Sequence, residues 1–274
     1  MKKVYAGFAG YVLLTTISCL SSFSIRAQET EVSPSILKLP HAEPLYFDLI
    51  CGPGAHKGER EWNVGAEFRN TETYNAYPLL IEYEFTPVDR LGVEVEADFL
   101  LFKGKNATSE TPKDQIESLR IAGQYSFFVS PKHGTSLAVG YTQQVYINSF
   151  QNLGKDRLVT GIGYNPFFIA AKTWRKNIHG LFFLSPVWAH DFEERSIEAT
   201  WFVNSSFHYT IPGSKHFVGV EFNKEITSDA FQMTIRPQMK IAFNEHIAVG
   251  FAAGFPINQP GEGFSSFFRF IYEP

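Results

Sequence analysis

Large apolar residues alternate with small or polar residues along the C-terminal part of the chain. In the stretch 231–243 one parity carries Phe231, Met233, Ile235, Met239, Ile241 and Phe243, and the other carries Gln232, Thr234, Arg236, Gln238 and Lys240. Successive side chains of a β-strand point to opposite faces. The pattern therefore predicts a strand with one apolar and one polar face. Residues 246–255 and 264–272 repeat it.

The same alternation begins at Glu61 and continues almost to the C-terminus. It predicts about twelve strands, over residues 61–69, 77–86, 90–102, 117–129, 135–147, 157–170, 178–189, 196–210, 216–223, 230–243, 246–255 and 264–272. An even number of strands lets both ends of the chain emerge on one side of a closed sheet.

The connections between these strands alternate between tight and long. Tight connections fall at 86–90, 130–134, 212–215 and 244–245, and longer or more polar ones at 103–116, 148–156, 224–229 and 256–263. Outer-membrane barrels have short periplasmic turns and longer outer loops. The predicted fold class is therefore all-β, an antiparallel transmembrane β-barrel of about 12 strands, rather than a soluble sandwich.

Charged residues share one face of the predicted strands. All acids between Leu91 and Phe99 have the same parity, and the other parity is apolar. A barrel with a polar interior accommodates that pattern. Two interpretations stay open, a salt-bridge network that fills the barrel and a charged constriction that prefers cations. The predicted lumen-lining residues are Glu82, Glu84, Glu94, Glu96, Asp98, Arg69, Arg120, Arg236 and Arg269.

Four prolines oppose this interpretation. They stand at positions 78, 166, 186 and 237, inside predicted strands. An interior proline removes a hydrogen bond of the sheet. We therefore expect bulges or strand ends at these positions.

The N-terminus resembles an export signal. Lys2 and Lys3 precede an apolar run, and Ala27 is followed by a polar stretch. This predicts a signal peptide over residues 1–27. The expected organisation is a signal at 1–27, a periplasmic lead-in or plug at 28–60, and a barrel at 61–274. The expected location is the outer membrane, after export.

Residues 28–60 do not alternate. Their apolar half, 41–50, is followed by a glycine-rich half, 52–60, that lacks the spacing of a phosphate-binding loop. Such a segment can hold a plug, a partner contact or a ligand, or it can be a structured lead-in that docks under the barrel.

Composition narrows the function. Without residues 1–27 the net charge is about −7, which argues against a nucleic-acid partner because phosphate neutralisation dominates that binding. Cys51 is then the sole cysteine, so no intramolecular disulfide can form. The 27 Phe and 12 Tyr suit aromatic girdles at two membrane interfaces. No carboxylate spacing of a calcium loop occurs, and we expect neither a metal nor a cofactor.

The terminal residues Phe268, Phe270 and Tyr272 alternate as in bacterial outer-membrane β-barrel proteins, which the signal and residues 61–274 resemble. The resemblance implies recognition of the last strand by the barrel-assembly machinery and contact with outer-membrane lipid. The chain departs from the pattern by adding Glu273 and Pro274. Residues 41–65 are similar to a segment of uncharacterised secreted barrel proteins, which implies no activity.

An enzymatic alternative depends on Ser206 and His208, which share parity. A lipid hydrolase or deacylase needs a Ser, a His and an orienting polar group at the barrel rim. His208 is expected near a periplasmic strand end, and no family motif surrounds it. The favoured function is therefore non-enzymatic, either a narrow pore for small solutes with a charged lumen or a structural barrel.

Overall fold

The computed structural model describes residues 38–47, 49–106 and 111–274. Its twelve antiparallel strands close into a barrel through pairing of the first strand with the last. This confirms the predicted fold class. The predicted signal lies outside the described residues. The strands are β1 (Arg60–Thr71), β2 (Tyr74–Val88), β3 (Leu91–Gly104), β4 (Gln115–Ser130), β5 (Thr135–Ile147), β6 (Val159–Trp174), β7 (Ile178–Asp191), β8 (Ile197–Thr210), β9 (Phe217–Ile226), β10 (Phe231–Ala242), β11 (Ile247–Ile257) and β12 (Glu262–Tyr272).

Among the described residues, no helix is long and apolar enough to span a membrane. The helix that the structure contains there is a 3-10 turn, Phe150–Asn152.

The two ends of the barrel differ. One end, here the short-turn end, carries the start of β1 and the end of β12, where Trp62 pairs with Tyr272. Its turns are 89–90, 131–134, 175–177, 211–216 and 243–246. The opposite, long-loop end carries loops 105–114 and 148–158.

Other connections at the long-loop end are shorter than expected. The connections are 227–230 and 258–261 rather than 224–229 and 256–263, and the first two strands are separated by residues 72–73 alone. The strands continue because polar residues at their ends still pair, as Asn70 does with Asn75. Polarity near a strand end was a poor indicator of a loop.

The prolines lie inside strands, without the expected bulges or strand ends. Pro78 keeps its register with Leu100 on β3, while the β1–β2 pairing is interrupted between Ala66–Leu79 and Arg69–Ala76. Each proline therefore faces a gap in one of its two pairings and stays in register with the other. Proline has no backbone N–H group, and at these positions no neighbouring strand needs one as a hydrogen-bond donor.

Pro166 and Pro186 lie in the same gap. The β6–β7 pairing stops at Tyr164–Trp188 and resumes at Phe168–Leu184 without a change of register. Ser185 Oγ contacts the carbonyl oxygen of Pro166 at 3.2 Å and replaces a backbone bond there. Because both prolines lie in the same gap, they interrupt only the β6–β7 pairing, whereas prolines in separate gaps would interrupt two pairings.

The two faces of the sheet have different chemistry. The outer face exposes apolar side chains such as Val95, Ile121 and Phe207. The inner face carries buried polar side chains such as Gln124 and Asn204. In the half of the barrel nearest the short-turn end, the inner face also carries apolar side chains, and these contact the segment described next.

Candidate functional site

The described residues of the segment 38–59, here the plug, run from the rim of the short-turn end into the adjacent half of the barrel and back to that rim. Lys38 Nζ contacts Glu59 Oε2 at 2.6 Å and donates to the carbonyl oxygen of Cys51 at 2.9 Å. Because Glu59 directly precedes β1, this ion pair closes the plug into a loop. Both of its ends therefore lie at the rim of the short-turn end.

Two apolar patches of the inner wall hold the plug. Leu45, which is 1% exposed, packs in a cluster on β9, β11 and β12 with Phe217, Ala248, Ala252, Phe267 and Ile271. Phe47 and Leu49 pack on β5, β6 and β7 with Ala138, Ile169, Ala171 and Leu181. Burial of one such large side chain stabilises by about 1.5–3 kcal/mol. The plug thus supplies the apolar core of this half of the barrel.

A single carboxylate of the wall binds three successive backbone amides of the plug. Glu221 Oε1 accepts from the N–H groups of Leu45 at 2.7 Å and Tyr46 at 3.0 Å, and Oε2 accepts from Phe47 at 3.4 Å. Gln238 Oε1 also accepts from the Leu45 amide, at 2.9 Å. Glu221 is fully buried, and a buried charge must be hydrogen-bonded to be tolerated. The plug backbone provides those bonds.

The Tyr46 side chain is inserted among charged groups of the wall. Its ring lies 3.4 Å from the guanidinium carbon of Arg236, a cation–π contact. Its hydroxyl accepts from Arg69 Nη2 at 2.9 Å and donates to Glu67 Oε2 at 3.3 Å. The edge of the ring meets Phe267 at a centroid distance of 5.5 Å. Tyr46 is therefore the side chain through which the plug joins the charged network.

The second half of the plug returns along β2, β3 and β4. Ile50 exchanges two hydrogen bonds with the Gln124 amide, at 3.3 and 3.2 Å. The Cys51 amide donates to Glu84 Oε2, and the Gly54 amide donates to Ser126 Oγ at 2.8 Å. Left-handed backbone at Cys51, Gly52 and Gly54 makes the turn. These bonds fix the returning half to the wall.

Gly92 on β3 permits the close approach of this half. A Cβ at position 92 would lie 2.6 Å from the backbone oxygen of Ile50 and 2.8 Å from its Cγ2. Gly250 has the same role for the first half, since its Cβ would lie 2.4 Å from Leu45 Cδ2. The wall therefore has glycine at a close contact with plug backbone, at Gly92, and at a close contact with a plug side chain, at Gly250.

His41 anchors the N-terminal end of the plug. Its Nε2 lies 2.9 Å from Ser136 Oγ, and its Nδ1 lies 3.1 Å from Thr173 Oγ1. Thr173 Oγ1 is also 3.3 Å from His179 Nδ1. Burial, together with the neighbouring His179, lowers the pKa of His41 to about 4. His41 is therefore neutral in the docked plug at pH 7.

Acid is expected to weaken this anchor. The pKa of His41 is lower in the docked plug, about 4, than its ordinary value of 6.5, so docking favours the neutral form. The stabilisation is complete above pH 6.5 and is lost as the pH falls towards 4, by about 3 kcal/mol in total. Hydrogen–deuterium exchange of residues 42–47, corrected for intrinsic rates, should rise over this range. In His41→Gln the pH dependence should shrink, and an unchanged dependence would contradict the assignment to His41.

The predicted lumen residues lie on the inner wall. Across β2 and β3, Glu82 pairs with Glu96, Glu84 pairs with Glu94, and Asp98 extends the strip. All five acids are buried, as are Arg236 and Arg269. Arg120 bridges Glu96 and Asp98, both at 2.7 Å.

Arg69 and Arg236 contact an acid outside the predicted set. Glu67 accepts from Arg69 Nε at 2.8 Å and contacts Arg236 Nη1 at 3.2 Å. Arg69 pairs with Glu67 because the two residues lie two positions apart on the same face of β1.

Sequence reasoning missed most residues that contact the plug, namely Glu67, Glu221, Gln124, Gln238, Ser126, Ser136 and Thr173. One signal was available. Strands β6 and β7 are apolar on both faces near the short-turn end, as Ile169 and Leu181 on the inner wall illustrate. A water-filled lumen does not require apolar inner residues, so this pattern indicates an internal partner.

Ser206 Oγ has no hydrogen-bond partner among the described residues, so it is not bonded to His208. Both are buried on the inner wall. His208 Nε2 lies 2.8 Å from Gln238 Nε2, a group that also helps hold the plug. The shared face and the position near the short-turn end were predicted, but a membrane lipid on the outer surface does not reach this wall. The enzymatic alternative is not supported.

Comparison with known proteins agrees with this architecture. A family model described as HAEPLYID-like matches residues 37–273. The letters of that description differ at one position from residues 41–48 of the plug, HAEPLYFD. Among proteins of curated function, no sequence matches the chain.

Solved structures show the same fold at low identity. An outer-membrane channel from Pseudomonas putida F1 is 12% identical with a TM-score of 0.62, and the match covers 89% of this chain and 100% of that one. The KdgM porin is 10% identical with a TM-score of 0.53, over 77% of this chain and 98% of that one. These likenesses establish an outer-membrane β-barrel fold.

Proposed function

We propose that the chain, which belongs to the HAEPLYID-like family, is a non-enzymatic outer-membrane pore for small solutes whose lumen is closed by its own plug. The observation that carries the proposal is the plug itself. A segment from outside the sheet occupies one half of a closed barrel and is held there by noncovalent contacts with the wall. A barrel with only a structural role can be filled by its own wall side chains.

The proposed orientation follows from the ends of the barrel. We place the short-turn end and both termini in the periplasm and the long-loop end outside the cell. A solute entering from outside would first meet the half of the lumen that the plug does not occupy. The side chains of Arg69 and Arg120 are 41% and 31% exposed there, with Glu117 exposed and Glu225 half-buried nearby. Both signs of charge therefore line the entrance.

Release of the plug would change the electrostatics of the lumen. In the docked state Glu221 is satisfied by plug amides. Without the plug this carboxylate would face the pathway together with the acidic strip of β2 and β3. Rings of acidic side chains favour cations, so the open pore is expected to prefer cations.

Planar-bilayer recordings test the proposal. The wild-type chain should be mostly closed. A chain with residues 41–54 replaced by glycine and serine should pass at least about tenfold more current, because no large side chain would fill the periplasmic half. In a KCl gradient its reversal potential should indicate cation preference. Heat-modifiability on a gel is the control for folding. A folded but silent variant would contradict the pore.

The second candidate is a structural barrel, which the extent of plug burial favours. It predicts the silent, folded variant just described.

We also propose that β12 engages the barrel-assembly machinery and that the apolar outer face contacts outer-membrane lipid. The support is the row Phe268, Phe270 and Tyr272 on the outer face of the last strand.

A further inference from the structure

A lysine lies on the outer face of the barrel wall. Glu221 of β9 points inward to the plug. Lys224 stands three positions later on a strand whose pairings contain no bulge, so its side chain points outward. Its outward neighbours across the two strand pairs are Val203 on β8 and Met233 on β10. The lysine is therefore surrounded by apolar residues of the face that meets the membrane.

Lys224 lies on the hydrocarbon side of an aromatic row. Trp201 and Phe231 both pair with Ile226, which is two positions nearer the long-loop end. Each of the two aromatic side chains is 45% exposed. Girdles of aromatic residues mark the membrane interfaces of an outer-membrane barrel. A basic side chain just below such a girdle usually extends back to the interface, where its charge stays hydrated.

The Nζ of Lys224 points away from the rim instead. It lies 3.1 Å from Ser205 Oγ and 5.8 Å from the centroid of the Phe222 ring. These two residues pair with each other, two positions farther from the long-loop end. The carbonyl oxygens of Val203 and Phe222 both lie at 3.4 Å. None of these partners within the described residues carries a negative charge. An ionisable group at membrane depth is costly and marks a functional site, here one for an anion.

An apolar groove of about 690 Å³ lies on the same outer face. Its floor includes the outward residues Pro237, Ala253 and Ser266, on the adjacent strands β10, β11 and β12. Phe251 and Phe268 form its side nearer the short-turn end, where their rings meet edge to face at a centroid distance of 5.4 Å. The volume lies within the range of small-molecule sites.

The groove and the lysine are aligned along the wall. Pro237 pairs with Val220 on β9, four positions from Lys224. Four positions correspond to about 13 Å along a strand. The lysine lies nearer the long-loop end, and the groove lies nearer the middle of the wall. A lipid has the same arrangement, with a headgroup at the interface and acyl chains below it.

We propose that Lys224 and Ser205 bind a phosphate group of a phosphorylated glycolipid in the outer leaflet, and that the groove holds one of its acyl chains. This proposal rests on the proposed placement in the outer membrane, which puts the long-loop end outside the cell. The ammonium supplies the opposite charge, and the hydroxyl donates a second charge-assisted hydrogen bond to the phosphate. A phosphatidylcholine headgroup carries its own cation and gains less from the lysine.

Native mass spectrometry of the full chain in nonionic detergent tests the headgroup site. The wild type should bind lipid A at least about tenfold more tightly than phosphatidylcholine. Lys224→Met should remove this preference, and Lys224→Arg should keep it. Lys172→Met is the matched control, because Lys172 lies on the outer face near the short-turn end and its Nζ contacts Thr135 Oγ1 at 3.3 Å. A wild type without the preference, or equal loss in Lys224→Met and Lys172→Met, would overturn the site.

A second pair of variants tests the groove. Ala253→Phe fills the floor and should weaken lipid A binding about tenfold although the lysine is intact. Val95→Phe adds the same ring to the outer face of β3, at a side chain that is 51% exposed, and should bind as the wild type does. Equal binding of lipid A by both variants would contradict an acyl chain in the groove.

Three further outcomes would replace the glycolipid by another occupant. Tighter binding of phosphatidylglycerol than of lipid A would assign the site to a phospholipid. Displacement of lipid A by inorganic phosphate would assign it to a soluble anion, and dimers that Ala253→Phe abolishes would assign the groove to a second copy of the chain. Heat-modifiability shows that each variant is a folded barrel. A folded barrel without lipid A preference would refute this site and leave the pore to the conduction measurements.

Discussion

Replacement of Gly92 by valine is expected to expel the returning half of the plug and to raise the labelling rate of Cys51 about a hundredfold. The added Cβ would lie 2.6 Å from the Ile50 backbone oxygen, and a backbone atom cannot move aside as a flexible side chain can. Displacing Ile50 also breaks its two bonds to Gln124. Overpacking of this kind costs about 3 kcal/mol, which is about a hundredfold in an equilibrium.

Cys51 reports the displacement directly. Burial raises the pKa of its thiol to about 12 in the docked plug, and the thiolate is the reactive form. In a Cys19→Ser background, maleimide should label the wild-type barrel slowly and the Gly92→Val barrel rapidly. Gly123→Val is the matched control, because Gly123 lies on the neighbouring strand and an added Cβ there meets only a backbone oxygen at 3.9 Å. Equal labelling of both variants would show that Gly92 does not hold the plug.

Replacement of Glu221 by alanine is expected to release the first half of the plug. The change leaves the amides of Tyr46 and Phe47 without their acceptor, while Leu45 keeps Gln238. A buried N–H group without a partner costs about 1–3 kcal/mol, so docking should weaken by about 2–6 kcal/mol. Glu221→Gln should lose less, since it keeps one acceptor oxygen.

Hydrogen–deuterium exchange distinguishes release of the whole plug from the local loss of the hydrogen bonds to Glu221. If the plug leaves the wall, exchange should rise at Ile50 and Gly54 as well as at residues 45–47, although Glu221 contacts neither residue. Glu225→Ala is the control, because Glu225 lies on the same face of β9 nearer the long-loop end. Faster exchange confined to residues 45–47 would mean that the other contacts suffice to hold the plug.

The barrel could be predicted from the sequence because its signal is local and repeated. Two-residue alternation marked all twelve strands, and the acids of β3 marked the inner face. The prolines could not be interpreted this way. Whether Pro78 disrupts a strand depends on a gap in the β1–β2 pairing, and that gap is a property of two strands together.

The sequence suggested that a plug was present, but it did not show which wall residues bind the plug. Residues 41–50 have no period, and their partners, such as Glu221 and Gln124, are distant in sequence. In the sequence, Glu221 on β9 cannot be distinguished from any other lumen-facing charge. The structure shows that it accepts hydrogen bonds from three plug amides. The dual apolar faces of β6 and β7 were the clearest available indication of an internal partner.

The closure of the plug by Lys38 and Glu59 bears on the order of assembly. Because both ends of the segment lie at one rim, the plug can enter a finished barrel from that side, and none of the residues that the structure describes has to be threaded through the lumen. Strand closure and plug docking are therefore separable steps. The barrel can be completed around water first and acquire its dry interior afterwards.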